Sequence, residues 1–349
     1  MSDGLTIALD AMGGDHAPDM VIKGANIARQ RFPQVRFLFF GDEARIDPLI
    51  DKLPSLRAVS ETLHAEQEVR GEDKPSQALR SGRASSMRLA INAVHDGRAA
   101  GVVSAGNTGA LMAMAKFVLK TMPGIDRPAI ASFFPTIRGE SVMLDLGANI
   151  QCDANNLVQF AVMGNVFART VLGVPDPTYG LLNVGSEDLK GNEAVREASA
   201  ILRATSLPGH FHGFVEGDDI AKGTVDVVVT DGFTGNVALK AIEGTAKLYA
   251  EFLRKSFMSS AFSRLGYLLA RPAIRSLKVR TDPRRYNGAI FLGLNGIAVK
   301  SHGGTDALGF ANAIGVAIDM VLHQSIDRIG DDFARLTTQP QPASQAAAL

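Results

Sequence analysis

Val102–Gly109 reads VVSAGNTG, and Val228–Gly235 reads VVTDGFTG. Each passes from a β-branched apolar run through a glycine turn to a Thr-Gly pair and then into a helix-like stretch. Strand, tight turn and helix in that order make the unit from which parallel sheets with crossover helices are built. Outward from the two octets the alternation repeats. The clearest strands are Thr6–Leu9, Arg36–Phe40, Gly101–Ser104, Ser141–Leu144, Tyr179–Val184, Val225–Thr230 and Gly296–Lys300. Several are apolar throughout, as strands are when helices cover both faces of a sheet. The expected fold is therefore α/β, with residues 1–336 forming one large domain and Thr337–Leu349, rich in Gln, Pro, Ala and Ser, a disordered tail. The likeness of the octets predicts two equivalent half-sites lining one cleft; chance similarity between two ordinary βα turns is the competing reading.

Composition narrows the function. Cys152 is the only cysteine in 349 residues, which excludes an internal disulfide and a Cys-rich zinc site. Lysine plus arginine equals aspartate plus glutamate at 36 each, and there is no tryptophan, so nothing global recommends nucleic acid as a partner. The opening Met1-Ser2-Asp3-Gly4 leads directly into a strand without the regions of a signal peptide, and the cytoplasm is the expected address. His210 and His212 flank Phe211 and read as surface polar positions; no metal is expected.

Six loops share a small-residue turn beside an amide or acid: Asp10–Asp15, Ser104–Gly109, Asp145–Asn149, Asn183–Asn192, Asp231–Asn236 and His302–Asp306. Glycine lets backbone approach a ligand closely, and N–H groups at a following helix start suit phosphate or a developing oxyanion. In an open α/β sheet such loops are expected at the carboxyl ends of the strands, gathered at one rim. Neither a Walker A pattern nor the full G-x-G-x-x-G spacing occurs in these loops, so a bound nucleotide is not the expectation, and no cofactor is assigned.

Ile7–Ala25 (IALDAMGGDHAPDMVIKGA), Lys74–Met87, Val103–Ala113, Leu144–Asn149, Leu181–Asn192, Val227–Lys240 (VVVTDGFTGNVALK) and Leu292–Gly303 (LGLNGIAVKSHG) resemble the phosphate acyltransferases that convert acyl-carrier-protein thioesters and phosphate to acyl phosphates. DGFTGNV also resembles, more faintly, a segment of phosphotransacetylases. The resemblance implies a three-layer α/β/α fold of the phosphotransacetylase and isocitrate/isopropylmalate dehydrogenase kind, a homodimer, no required metal, and loose attachment to the inner face of the cell membrane. Three positions depart from the pattern: Gly304 stands where serine is expected, Asn287 replaces the first of a glycine pair, and Arg70-Gly71 sits where a hydrophobic residue is usual.

Attack of phosphate on a thioester needs a cationic cradle, donors aimed at the carbonyl oxygen and a way to stabilise the departing thiolate. Lys190, with Asn192 in the same loop, is the first candidate for the cradle. Asn107, Thr108 and Asn236 offer neutral donors, although Asn and Thr at such places also cap helices. Asp231 reads either as an orienter of Lys190 or proton donor, or as an Asx-turn residue. Asp10, Gly13, Gly14, Gly109, Thr234, Gly235 and His302 complete the expected binding loops. Cys152 raises a covalent alternative in which its thiol first takes the acyl group. Rival readings are a coenzyme A-dependent phosphotransacetylase and a non-catalytic membrane scaffold that binds the carrier.

From Phe252 to Arg285 nine basic residues face one acid, Asp282. Arg254, Lys255, Arg264 and Arg271, interleaved with Phe257, Phe262 and Leu268, predict a helical protrusion over 250–285 that meets an anionic bilayer and docks an acidic acyl carrier protein. A helix pair buried in a dimer interface is the plainer alternative.

Overall fold

A computed structural model describes residues 5–338. Its strands are β1 (Thr6–Asp10), β2 (Arg36–Gly41), β3 (Ser60–His64), β4 (Gly101–Ser104), β5 (Ala129–Pro135), β6 (Glu140–Leu144), β7 (Thr178–Leu182), β8 (His210–Val215), β9 (Val227–Val229), β10 (Ala289–Leu292) and β11 (Ile297–Lys300). Helices α1 (Asp19–Arg31), α2 (Glu43–Ile50), α3 (Pro54–Arg57), α4 (Pro75–Ser81), α5 (Ser86–His95), α6 (Thr108–Leu119) and α7 (Ala154–Phe167) precede β7. They are followed by α8 (Glu193–Ala204), α9 (Gly217–Lys222), α10 (Gly232–Met258), α11 (Ala261–Arg280), α12 (Ala307–Leu322) and α13 (Ser325–Thr338). Of the expected tail, Thr337 and Thr338 instead end α13, and residues 339–349 lie outside the described residues.

All eleven strands join one sheet in the order β3-β2-β1-β4-β11-β10-β5-β6-β9-β7-β8. Successive side chains alternate between its faces, and both faces are covered. Ile7, Leu9, Val103, Val227, Val229 and Val299 point into a core roofed by α1, α7, α12 and α13. Their neighbours Ala8, Val102, Val228 and Ala298 point into a second core under α4, α5 and α6. This is why those strands read as unbroken apolar runs. Each fully buried valine, leucine or isoleucine contributes about 1.5–3 kcal/mol.

The sheet is largely parallel but reverses direction in the middle. β10 is antiparallel to both β11 and β5, and β5 is antiparallel to β6. Consequently the parallel block β3-β2-β1-β4-β11 runs opposite to the block β6-β9-β7-β8. The six glycine loops therefore do not share one rim. Three follow β1, β4 and β11 on one edge of the ladder, and three follow β6, β7 and β9 on the other. The octets are not equivalent either: α6 begins at Thr108, whereas α10 begins at Gly232, two positions before the residue aligned with Thr108.

The basic segment forms a projecting hairpin of α10 and α11. Only Gly232 and Gly235 of α10 are buried, and no residue of α11 is. Phe257 and Tyr267 stack edge to face across it at 5.4 Å. Its charge is smaller than the sequence count suggests, because Arg254 and Lys255 pair with Glu251, one residue before the counted stretch, and Arg284 pairs with Asp282 and Asp306. Phe262 and Leu268 stand 88% and 59% exposed. Among the described residues no single helix is long and apolar enough to cross a membrane.

Candidate active site

The carboxyl ends of β1, β4 and β11 lie side by side, and their loops close on a cavity of about 590 Å³. Met12, Gly14, Asp15, residues 105–109, Lys300 and Gly303 line it on one side, and residues 68–72 on the other.

Asp10, the last residue of β1, is buried beneath these loops. It accepts hydrogen bonds from Ser86 Oγ and Ser104 Oγ, both at 2.6 Å, and from Met12 N at 3.3 Å. Ser104 Oγ in turn accepts the Gly106 N–H at 3.0 Å. Burial pushes the Asp10 carboxyl above the ordinary aspartate range, and the two hydroxyls partly offset this. Gly13 must be glycine: a Cβ there would sit 2.5 Å from Asp10 Oδ2 and 2.7 Å from Gly106 N. Gly14, at φ +108°, occupies backbone space that other residues rarely adopt. The expected Asp10–Asp15 and Ser104–Gly109 loops are thus locked onto each other.

Lys300 ends β11, directly beside Ser104 in the ladder. Its Nζ donates to the Ala105 carbonyl at 3.3 Å and to that of Ser301. Burial pushes its ammonium down to about 8, while Asp10 and Asp15 hold the proton on. This cation was not singled out in the sequence. The available signal was a lysine closing an otherwise apolar strand just before a glycine loop.

Helix α6 points its amino end into the cavity through Thr108 and Gly109, whose N–H groups belong to the first turn and have no intrahelical acceptor. Asn107 is the cap: its Oδ1 accepts from Ala110 N at 2.9 Å, and its Nδ2 donates to Gly71 O and Asp73 O. The expected side-chain donor is therefore fully engaged, and the donors offered here are backbone. His302 is exposed; its Nδ1 accepts from Gly304 N at 3.1 Å and its own N–H goes to Asn287 Oδ1 at 2.8 Å. Asn287 also donates to Ser301 Oγ and Gly309 O, so the departure noted at this position stitches the loop together.

Lys190, Asn192, Asp231, Thr234, Gly235 and Asn236 lie on the other edge of the ladder and line no part of this cavity. Asn192 caps α8 through Val195 N, and Asp231 caps α10, accepting from Thr234 N at 2.9 Å and Thr234 Oγ1 at 2.7 Å. Gly235 packs on the Asp145 carbonyl, and Asn236 lies exposed beside Gly147. Lys190 is exposed with its stem along Gly185. Among the described residues no hydrogen bond or ion pair joins it to Asp231 or Asn236. Beneath them Asp145 is fully buried and accepts from five donors: the N–H groups of Ile130, Gly147, Ala148 and Asn149 and the Asn149 side chain.

A family model described as "Fatty acid synthesis protein" matches residues 5–328. The "Phosphate acyltransferase" of Rhodospirillum centenum is 69% identical over all of this chain and 97% of its own length, and that of Paramagnetospirillum magneticum is 63% identical over 100% and 99%. The chain belongs to the phosphate acyltransferase family. The chain shares its fold with a phosphotransacetylase from Streptococcus pyogenes, at a TM-score of 0.62, 17% identity and coverage of 94% and 95% of the two chains. The fold is shared also with an enzyme described as a putative 4-hydroxythreonine-4-phosphate dehydrogenase from Salmonella typhimurium, at 0.51, 13%, 91% and 99%.

Cys152 has the wrong electrostatics for a nucleophile. Burial, then the neighbouring Asp145, pushes its thiol up to about 12, and its Sγ faces the Asn149 carbonyl at 3.7 Å. The reactive thiolate is scarce at neutral pH under those conditions. His210, expected to be without a carboxylate partner, lies 2.6 Å from Asp176 Oδ2 at the surface.

Proposed function

We propose that the chain transfers a long-chain acyl group from an acyl-carrier-protein thioester to inorganic phosphate in the cavity between β1, β4 and β11. The observation that carries this reading is a half-buried lysine and a free helix amino end converging on one cavity. A lysine point charge and backbone N–H groups together form an anion cradle, and the helix dipole adds to it. A phosphate oxygen held there attacks the thioester carbonyl carbon. The carbonyl oxygen takes the negative charge, the C–S bond breaks, and the carrier leaves as a thiolate that takes up a proton. Alkyl thiols have pKa values of about 8.5, so the sulfur is a competent leaving group without a covalent enzyme intermediate. Asp10 and Asp15 keep Lys300 charged, and Asp10 holds the Ser86 and Ser104 hydroxyls that shape the floor. Lys190, the first candidate cation, and Asn236, a candidate neutral donor, stand in a second loop set.

The test mixes the purified chain, a long-chain acyl carrier thioester and phosphate. Phosphate-dependent thiol release together with a hydroxylamine-sensitive acyl phosphate is expected, and thiol release indifferent to phosphate would sink the reading. A coenzyme A thioester as comparator addresses the phosphotransacetylase alternative. In the same assay Cys152→Ala is expected to keep at least about half the activity, given its unreactive setting; near-total loss would restore the covalent route.

The hairpin of α10 and α11 supports two further parts of the proposal: peripheral contact with an anionic bilayer, and a homodimer covering part of its exposed faces. Phe262→Asp with Leu268→Asp is expected to lower sedimentation with anionic vesicles about tenfold or more, since each replaces buried apolar contact by a charge. Undiminished binding would remove the membrane role.

A further inference from the structure

The hairpin is not the only basic surface. Between Asp73 and Asp126 the chain carries Lys74, Arg80, Arg83, Arg88, Arg98, Lys116 and Lys120 against a single acid, Asp96. For a chain of zero net charge this bias is local. Folding gathers most of these residues, because α4 and α5 both pack against α6. Among the described residues none of Arg80, Arg83, Arg88, Lys116 and Lys120 is in an ion pair, and Asp96 lies 3.0 Å from His95 Nδ1. Arg88 is held by Asn92 alone, at 3.1 Å, and burial together with the like charge of Arg83 lowers its pKa. Phe117 stands on α6 among them, 54% exposed. The Arg88 guanidinium lies 5.1 Å from its ring centre and the Lys120 ammonium 4.7 Å. The cations and the ring attract one another, and aromatic residues and arginine are the types enriched at protein interfaces.

This face adjoins the cavity. The same α6 whose first turn lines it carries Lys116, about 12 Å further along the axis at 1.5 Å per residue. Pro75, at the start of α4, leaves no room for a side chain at Gly109, and Asn107 ties the preceding loop to the mouth through Gly71 and Asp73. By contrast, none of residues 232–285 lines the cavity.

We propose that the α4–α6 face, centred on Phe117 with Arg80, Arg83, Arg88, Lys116 and Lys120, docks the acidic carrier protein, and that the thioester arm enters the cavity past Thr108. The proposal rests on the acyltransfer reading and names the surface its donor substrate uses. It moves carrier docking away from the hairpin. A protein partner is favoured over a bilayer because the face holds a single exposed ring in a field of charge instead of an apolar ridge, and because it ends at the cavity mouth. Complementary charge of this kind governs encounter and loses strength with salt.

The experiment uses the full chain, with Arg83→Glu/Lys116→Glu as the test pair, Phe117→Ala as a milder change, and Arg264→Glu/Arg271→Glu on the hairpin as the comparison. Binding of fluorescently labelled carrier and phosphate-dependent thiol release are both measured, the latter with the carrier thioester and with a small acyl-pantetheine thioester. The α4–α6 pair is expected to weaken carrier binding and carrier kcat/KM at least tenfold, mostly through KM, to flatten their salt dependence, and to leave the small thioester unchanged. Phe117→Ala is expected to give a smaller loss of the same kind, and the hairpin pair none. Unchanged carrier binding in the α4–α6 pair, an equal loss with the small thioester, or a loss confined to the hairpin pair would overturn the proposal. Loss of vesicle binding in the α4–α6 pair with carrier binding intact would overturn it in favour of a lipid surface. Binding separates this proposal from the reading beneath it: if the parent chain releases no thiol yet binds carrier in a way the α4–α6 pair abolishes, docking stands and acyltransfer falls.

Discussion

Lys300→Met is expected to lose about a hundredfold or more in phosphate-dependent turnover while melting at a higher temperature than the parent. The first effect follows from removing the half-buried cation of the cavity; loss of one preorganised charge-stabilising donor costs about 10²–10³ in rate. The second follows from what burial does to that cation. The folded chain holds the proton at about 8, whereas an unfolded lysine holds it at 10.5. Between those values the unfolded state binds more protons, so the lysine's contribution to stability rises with pH across that window and is least favourable below 8. Methionine fills similar space without charge, so it removes the desolvation that outweighs the attraction of Asp10 and Asp15 for the ammonium. The gain should be present at pH 7 and shrink towards pH 10.5. In the parent, kcat/KM for phosphate should fall as pH rises through about 8, when the cradle loses its charge. Retained turnover would show that Lys300 is not the phosphate cation, and a lower melting temperature at pH 7 would show that its charge is not costly to the fold.

Gly235→Ala should destabilise the chain by about 3 kcal/mol, the upper end for overpacking, because the new methyl group would overlap the Asp145 carbonyl oxygen and backbone gives way poorly. The comparison is Gly244→Ala on the same helix, where nothing lies within 4 Å of the added carbon. That change should stabilise by up to about 1 kcal/mol through helix propensity. Denaturant unfolding of the two variants gives the answer. Equal midpoints would mean that the start of α10 is not wedged against β6 as described.

The seven strands read from the sequence are all present, with ends differing by a residue or two, because fully buried parallel strands announce themselves as apolar runs. The four strands outside the clearest seven, of which only β8 shows a strand-like run around Phe211, are weak in the sequence for physical reasons. β3 (SETLH) is a polar edge strand, and β8 (HFHGFV) is the opposite edge, interrupted by Gly213. β10 has only four residues, and β5 forms the centre of the reversal. With β5 and β10 unread, the reversal they make was unread too, although the short connections after them leave no room for a parallel crossover. Residues 136–139 join β5 to β6 and residues 293–296 join β10 to β11, and a parallel crossover needs a dozen residues or more. The glycine loops were found correctly, yet the pattern of residues could not say which edge each would occupy. Asn107, Asn192 and Asp231 illustrate the remaining limit: a residue suited to hold a ligand is also suited to cap a helix, and all three cap one. Lys300 went unread for the converse reason, since a lysine at a strand end is ordinarily solvated.

Helix α10 is continuous from the loop behind β9 to the tip of the projecting hairpin, and it packs on the core only as far as its second turn, at Ala238 and Leu239. Amide hydrogens beyond that turn should exchange with solvent through local opening long before the sheet does, until something covers them. Whatever does cover them, lipid or a second copy, acts as a ligand of the native state. The apparent melting temperature should then climb with vesicle or protein concentration, and the added order would reach back along the helix to Gly235 and Asp145.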